Sequence, residues 1–120
     1  MDNQIDKEII NKINPSIRIT FSLDDKFFGP GINSLLHSIE ENGSIQSACK
    51  SMKMSYSKAW TIIRRMEKHL GCKVLDTKIG GVGGGVSVLT DVAKDFLDKY
   101  DKMYKELNTL TQQSFDKYFK

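Results

Sequence analysis

The stretch Gly43–Trp60, GSIQSACKSMKMSYSKAW, decides the fold. Ser44 is a side-chain acceptor placed to cap a short helix whose apolar face is Ile45, Ala48, Cys49 and Met52. Lys53-Met54 makes a tight turn. Ser55 is a second N-cap, and the helix it opens runs to about Gly71 with Ala59, Ile62, Ile63, Met66 and Leu70 as its apolar stripe. At roughly 100° per residue, Ser57, Thr61, Arg64 and Lys68 lie opposite that stripe, with Lys58 and Arg65 on its flanks. Two helices joined by a tight turn, with the small Ala48 where they must approach, predict a helix-turn-helix.

The rest of the chain fits around this motif. Ile5, Ile9 and Ile13 recur every four residues, which predicts a short N-terminal helix closed by Pro15. Ile17, Ile19, Phe21 and Leu23 alternate with Arg18, Thr20 and Ser22, the period of a half-buried strand. Asp24-Asp25-Lys26 is a polar turn, and Phe27-Phe28 a short return strand. After the Gly29-Pro30-Gly31 break, Ile32, Leu35, Leu36 and Ile39 predict a helix over about 31–42, ended by Asn42-Gly43. Downstream, Val74-Leu75 and Val86, Val88, Leu89 flank the glycine run 80–85 and predict a β-hairpin. Thr90 then caps a long last helix. Its apolar positions Val92, Phe96, Tyr100, Met103, Leu107 and Leu110 approach a heptad seam.

Composition narrows the function. Of a net charge of +3, residues 44–71 alone carry +5, from Lys50, Lys53, Lys58, Arg64, Arg65 and Lys68 against Glu67, while residues 1–43 carry −3. A clustered basic region is the electrostatic footprint of a polyanion binder, although a solvated helix face gives the same pattern. Cys49 and Cys72 match no zinc or redox spacing, His37 and His69 complete none, and buried free thiols are expected. No metal and no cofactor are expected. No run approaches the ~18 apolar residues of a membrane span. The N-terminus lacks a signal-peptide centre, so a cytoplasmic protein without membrane partners is expected. The glycine run fits neither nucleotide-binding template, since valines occupy 86 and 88 and no Lys-Ser/Thr follows Gly85. No nucleophile, base and orienting acid assemble, so no enzyme is expected. His37 and His69 read as structural.

From Gly43 to Trp60 the sequence resembles the helix-turn-helix of ModE-type molybdate-responsive regulators, relatives of the LysR-type regulators. The SYxxAW element, the GGxGGG run followed by LT, and FGPG at Phe28–Gly31 occur in the same order, over about residues 17–107. The resemblance implies that Ser55, Tyr56, Ser57 and Lys58 belong to a recognition helix and that the glycine-rich wing lies near the DNA backbone. Trp60 matches the motif as well, but its phase favours packing. Val82 stands where the family often carries a basic residue, and Lys78 at the base of the hairpin is the compensating cation. Full-length relatives of this type carry a C-terminal molybdate-binding module. No room for one follows the long helix, so molybdate binding by this chain is not expected.

Together these readings predict an α+β, mainly helical chain. Residues 1–16 form an N-terminal extension, 17–89 a winged helix-turn-helix with an N-terminal strand or hairpin, and 90–120 a long C-terminal dimerisation helix. The expected function is a homodimeric transcriptional regulator on an inverted-repeat operator of double-stranded DNA, its recognition helices ~34 Å apart. Expected DNA-binding positions are Ser44, Gln46, Ser55, Tyr56, Ser57, Lys58, Thr61, Arg64, Arg65, Lys78, Gly81 and Gly83. Arg64 is the candidate for a bidentate guanine contact and Arg65 for phosphate. The last helix could also pack on its own domain, and both arrangements can hold at once. Two other functions stay open: a protein-interaction module on the same fold, or a DNA-binding subunit whose effector domain is on another chain.

Overall fold

The computed structural model describes residues 3–78 and 86–120. In chain order the elements are α1 (Lys7–Lys12), β1 (Phe21–Ser22), β2 (Lys26–Phe28), α2 (Pro30–Asn42), α3 (Ile45–Met52), α4 (Tyr56–Leu70), β3 (Leu75–Lys78), β4 (Val86–Leu89) and α5 (Asp91–Phe119). This is a mainly helical α+β winged helix with a long C-terminal helix. Helix ends follow local chemistry. Pro30 sits in the first turn of α2, where its missing N–H costs nothing. Asp6, Ser44, Ser55 and Thr90 each accept a backbone N–H of the turn they open. Gly43 and Gly71 end α2 and α4 at φ 79° and 71°, a left-handed conformation that glycine adopts without a Cβ clash.

The core gathers one face of each element. Leu35, Leu36 and Ile39 of α2, Ile45 and Ala48 of α3, Ala59, Ile63 and Met66 of α4, and Leu97 and Tyr100 of α5 are buried around Phe28. Phe28 meets Phe96 and Tyr100 edge-on, each at a centroid distance of 4.8 Å. The wing is an antiparallel pair in the register Leu75↔Leu89 to Lys78↔Val86. It is tied to the helices at its base. Ser87 N–H donates to Gly43 O (3.0 Å), and the Thr90 hydroxyl donates to Lys73 O (2.8 Å) while accepting from Ala93 N–H.

Two expectations are corrected here. The alternation over 17–23 does not make one strand. Only Phe21–Ser22 pairs, with the β1–β2 register shifting at that point, and Leu23 is exposed. Residues 17–20 instead lie extended against α5, where the Tyr100 hydroxyl donates to Ile19 O (2.8 Å) and the Tyr104 hydroxyl to Ile17 O (2.6 Å). Ile17 and Ile19 are half-buried on either side of the exposed Arg18, but their backbone carbonyls are held by tyrosine hydroxyls. The second correction concerns the seam of α5. Tyr100 is 2% exposed within its own chain, and Phe96 packs edge-on against Phe21 and Phe28. Tyr100 therefore belongs to the core and not to a face open to a second copy, and Phe96 is half-buried against that core. Val92, Met103 and Leu110 remain exposed and Leu107 half-buried.

The cysteines are both free. Cys49 is buried and Cys72 half-buried, so the expectation of two buried thiols holds for the first alone. Burial pushes the Cys49 thiol above its ordinary pKa. Both histidines tie elements together. His37 Nε2 on α2 lies 2.8 Å from Asp101 Oδ2 on α5, beside an Asn33–Asp101 hydrogen bond. His69 stacks on Phe27 at 5.3 Å and reaches Asp25 in the β1–β2 turn. Among the described residues, no helix is long and apolar enough to cross a membrane, and no three His, Cys, Asp or Glu side chains converge on a metal position.

Candidate nucleic-acid interface

The second helix of the motif is presented as an open face. Ala59, Ile63 and Met66 turn inward and are fully buried, which fixes the rotation of α4. By the helical period the opposite side must then face solvent. Ser55, Tyr56, Ser57, Lys58, Thr61, Arg64 and Arg65 are all exposed. They run from the N-cap through three turns, so the hydroxyl-rich opening turn and the arginines share one surface.

Each side chain is constrained differently. The Ser55 Oγ accepts from Lys58 N–H at 3.1 Å, which leaves its own proton free for a phosphate oxygen. Ser44 is half-buried and caps α3 in the same way through Ser47 N–H (3.1 Å). Gln46 is exposed on the first turn of α3. Thr61 donates its hydroxyl proton to Ser57 O (3.0 Å), leaving its methyl group and lone pairs outward. Tyr56 is 54% exposed and meets Trp60 edge-on. Trp60 is half-buried against the core margin, and the Arg64 guanidinium lies over its ring. Lys78 closes β3; its side chain, like Gly81, Val82 and Gly83, lies outside the described residues.

Two cations were counted in the basic segment but not singled out. Lys50 and Lys53 are exposed on α3 and in the turn. Lys53 closes that turn at φ 54°, a left-handed conformation that costs a non-glycine residue about 1–2 kcal/mol. Its N–H bonds to α3 carbonyls, and Met54 N–H reaches Cys49 O at 3.0 Å. The turn at Lys53-Met54 is legible in the sequence, but a lysine carries no signal for the left-handed conformation that closes it.

Chemically, this face can bind a polyanion and read base edges. It offers backbone N–H groups at a helix N-terminus, cations that can meet phosphates, hydroxyls, and a planar guanidinium. A single helix also has the width a major groove admits.

Comparison with known proteins agrees with this geometry. The family model described as "Bacterial regulatory helix-turn-helix protein, lysR family" matches residues 34–93, from α2 to the start of α5. The "Transcriptional regulator ModE" of Haemophilus influenzae is 36% identical over 89 residues, covering 73% of this chain and 35% of that protein. Its namesake in Yersinia pestis is 32% identical over 101 residues, covering 83% and 37%. The "Molybdenum transport protein ModE" of Herbaspirillum seropedicae is 29% identical over 85 residues, covering 71% and 30%. The chain spans about a third of the length of these relatives. The matched residues include both helices of the motif, the wing strands and the α2 scaffold that orients them, and the chain belongs to the lysR family of bacterial regulatory helix-turn-helix proteins.

Proposed function

We propose that the chain is a DNA-binding transcriptional regulator that docks as a homodimer on an inverted-repeat operator, with the first turns of α4 in the major groove. The observation that carries this is the exposed face of α4, where a hydroxyl-rich N-terminus and two arginines sit on a helix whose other side is locked into the core. Lys50, Lys53, Lys58 and Arg65 would neutralise phosphates, and Arg64 would read a base. Lys78, Gly81 and Gly83 are proposed to follow the backbone alongside. The exposed Val92, Met103 and Leu110, with Leu107, support pairing of two copies through α5.

The test is fluorescence anisotropy with a duplex selected from a random pool. Affinity should fall steeply with salt, by about 10²–10⁴-fold between ~50 and ~200 mM, as four to eight phosphate contacts require. A protein that ignores all duplexes at low salt would instead be an interaction module. One of these relatives is named for molybdenum transport, and about two thirds of the length of each lies outside the match.

A further inference from the structure

Tyr56, Trp60 and Arg64 follow one another at intervals of four residues on α4 and so stand one turn apart on the same side. The three are in contact. The Tyr56 and Trp60 rings meet at 86° with centroids 6.3 Å apart, and the Arg64 guanidinium carbon lies 5.2 Å from the Trp60 ring centroid. Trp60 packs against the core cluster, next to the fully buried Ala59. The indole is therefore held by the protein, and Arg64 is held by the indole. Among the described residues Arg64 enters no ion pair, so no carboxylate competes for its position.

We propose that Trp60 is a positioning residue for sequence recognition: it stacks the Arg64 guanidinium in an extended pose along α4 and thereby sets the preference at one G·C pair. The inference rests on the DNA-binding reading above. Two physical points carry it. Side chains on a helix lean toward its N-terminus, so an arginine lying over the residue one turn earlier points its head toward the opening turn, the end offered to the groove. Stacking occupies the face of the guanidinium and leaves its in-plane N–H donors free, the edge that matches guanine O6 and N7. An arginine fixed before docking also loses less rotamer freedom on binding. Arg65, exposed on the neighbouring flank, stacks on no ring among the described residues and suits a phosphate.

The experiment measures anisotropy affinities of the full chain for its selected duplex, for every single-base-pair substitution of that duplex, and for a random duplex. The variants are Arg64→Ala, Trp60→Leu, Trp60→Phe and the double variant Trp60→Leu/Arg64→Ala. Trp60→Leu should reduce discrimination about tenfold at the same base pair that Arg64→Ala affects. Binding to the random duplex and the salt slope should stay within about twofold. Trp60→Phe should recover part of the discrimination, and the double variant should be no worse than Arg64→Ala alone. In the free protein the Arg64 side-chain protons should show upfield ring-current shifts that Trp60→Leu abolishes; this readout does not depend on DNA. Equal loss for all duplexes, loss at a different base pair, additive effects in the double variant, or unshifted Arg64 protons would each overturn the role of Trp60 while leaving DNA binding intact. Failure of the unmodified chain to bind any duplex would remove the DNA-binding reading and this inference with it.

Discussion

His69 shows how one side chain can link α4 to the rest of the fold. Its Nδ1 lies 2.8 Å from Arg65 O and its Nε2 lies 2.7 Å from Asp25 Oδ1. Both partners are acceptors, so both ring nitrogens must carry protons to satisfy them. The Arg65 carbonyl first, then the Asp25 carboxylate, hold the imidazolium above its ordinary pKa of 6.5, against the opposing effects of burial and of Lys68. A folded pKa above the unfolded one gives stabilisation that is fully present below about pH 6.5 and is lost as pH rises through the folded value. Thermal melts of the unmodified chain and of His69→Gln should therefore differ most near ~pH 5.5, and the gap should narrow as pH rises through the raised pKa. A gap that stays constant across that range would show that the ring acts through its stacking on Phe27 alone. The histidine was legible as structural in the sequence, but its partner was not, because Asp25 lies 44 positions away.

At the scale of elements, capping and phase decide most of what is seen. The serines at 44 and 55 are caps in the structure as their spacing predicts, and the stripe Ala59, Ile63, Met66 places α4 face-down as the 3.6-residue period requires. Ser55 is a cap, and the proposed duplex contact would give it a second role that can be separated from the first. Ser55→Ala should lower unfolding free energy by about 1 kcal/mol in urea titrations, because Lys58 N–H loses its acceptor. Ser55→Asp should restore the stability by capping, yet weaken duplex binding by setting a negative charge beside phosphates. Equal duplex affinity for the unmodified and Asp forms would exclude this turn from the interface. The segment 17–23 is the element where periodicity misled. Alternation marks Ile17, Ile19 and Phe21 as half-buried but fails at the exposed Leu23, and it does not report what the backbone pairs with, which here is two hydroxyls on α5.

At the scale of the whole molecule, α5 reaches past the domain it helps to build. It has 29 residues, ~43 Å of helix at 1.5 Å per residue, yet its buried residues Ala93, Leu97 and Tyr100 all lie in the first third. The chain is correspondingly elongated, 68 × 28 × 22 Å. Near the far end of α5, Ile5 and Ile10 of the N-terminal segment and Phe119 line a shallow hollow of about 400 Å³, and Ile5, Ile9 and Ile13 are exposed. Met103→Asp/Leu110→Asp should convert a dimer to a monomer in sedimentation equilibrium without loss of helicity, since both side chains already face solvent. Affinity for an inverted repeat should fall at least ~10-fold toward that for a half-site. An unmodified chain that sediments as a monomer, or a variant that keeps the dimer mass, would rule out pairing through this face.

The order of the helices, the caps at Ser44, Ser55 and Thr90, the apolar faces of α2, α3 and α4 and the exposed cationic side of α4 were all written in the sequence, because they follow from contacts between residues one to four positions apart. The tertiary structure decided which residues of α5 are core, how Ile17 and Ile19 are held, where His37 and His69 find their carboxylates, and that Lys53 closes the turn without a glycine. Apart from that turn, these depend on pairs separated by 44 to 87 positions. A periodic pattern marks a residue as buried without naming its partner, and only the packed chain brings such distant groups within bonding distance.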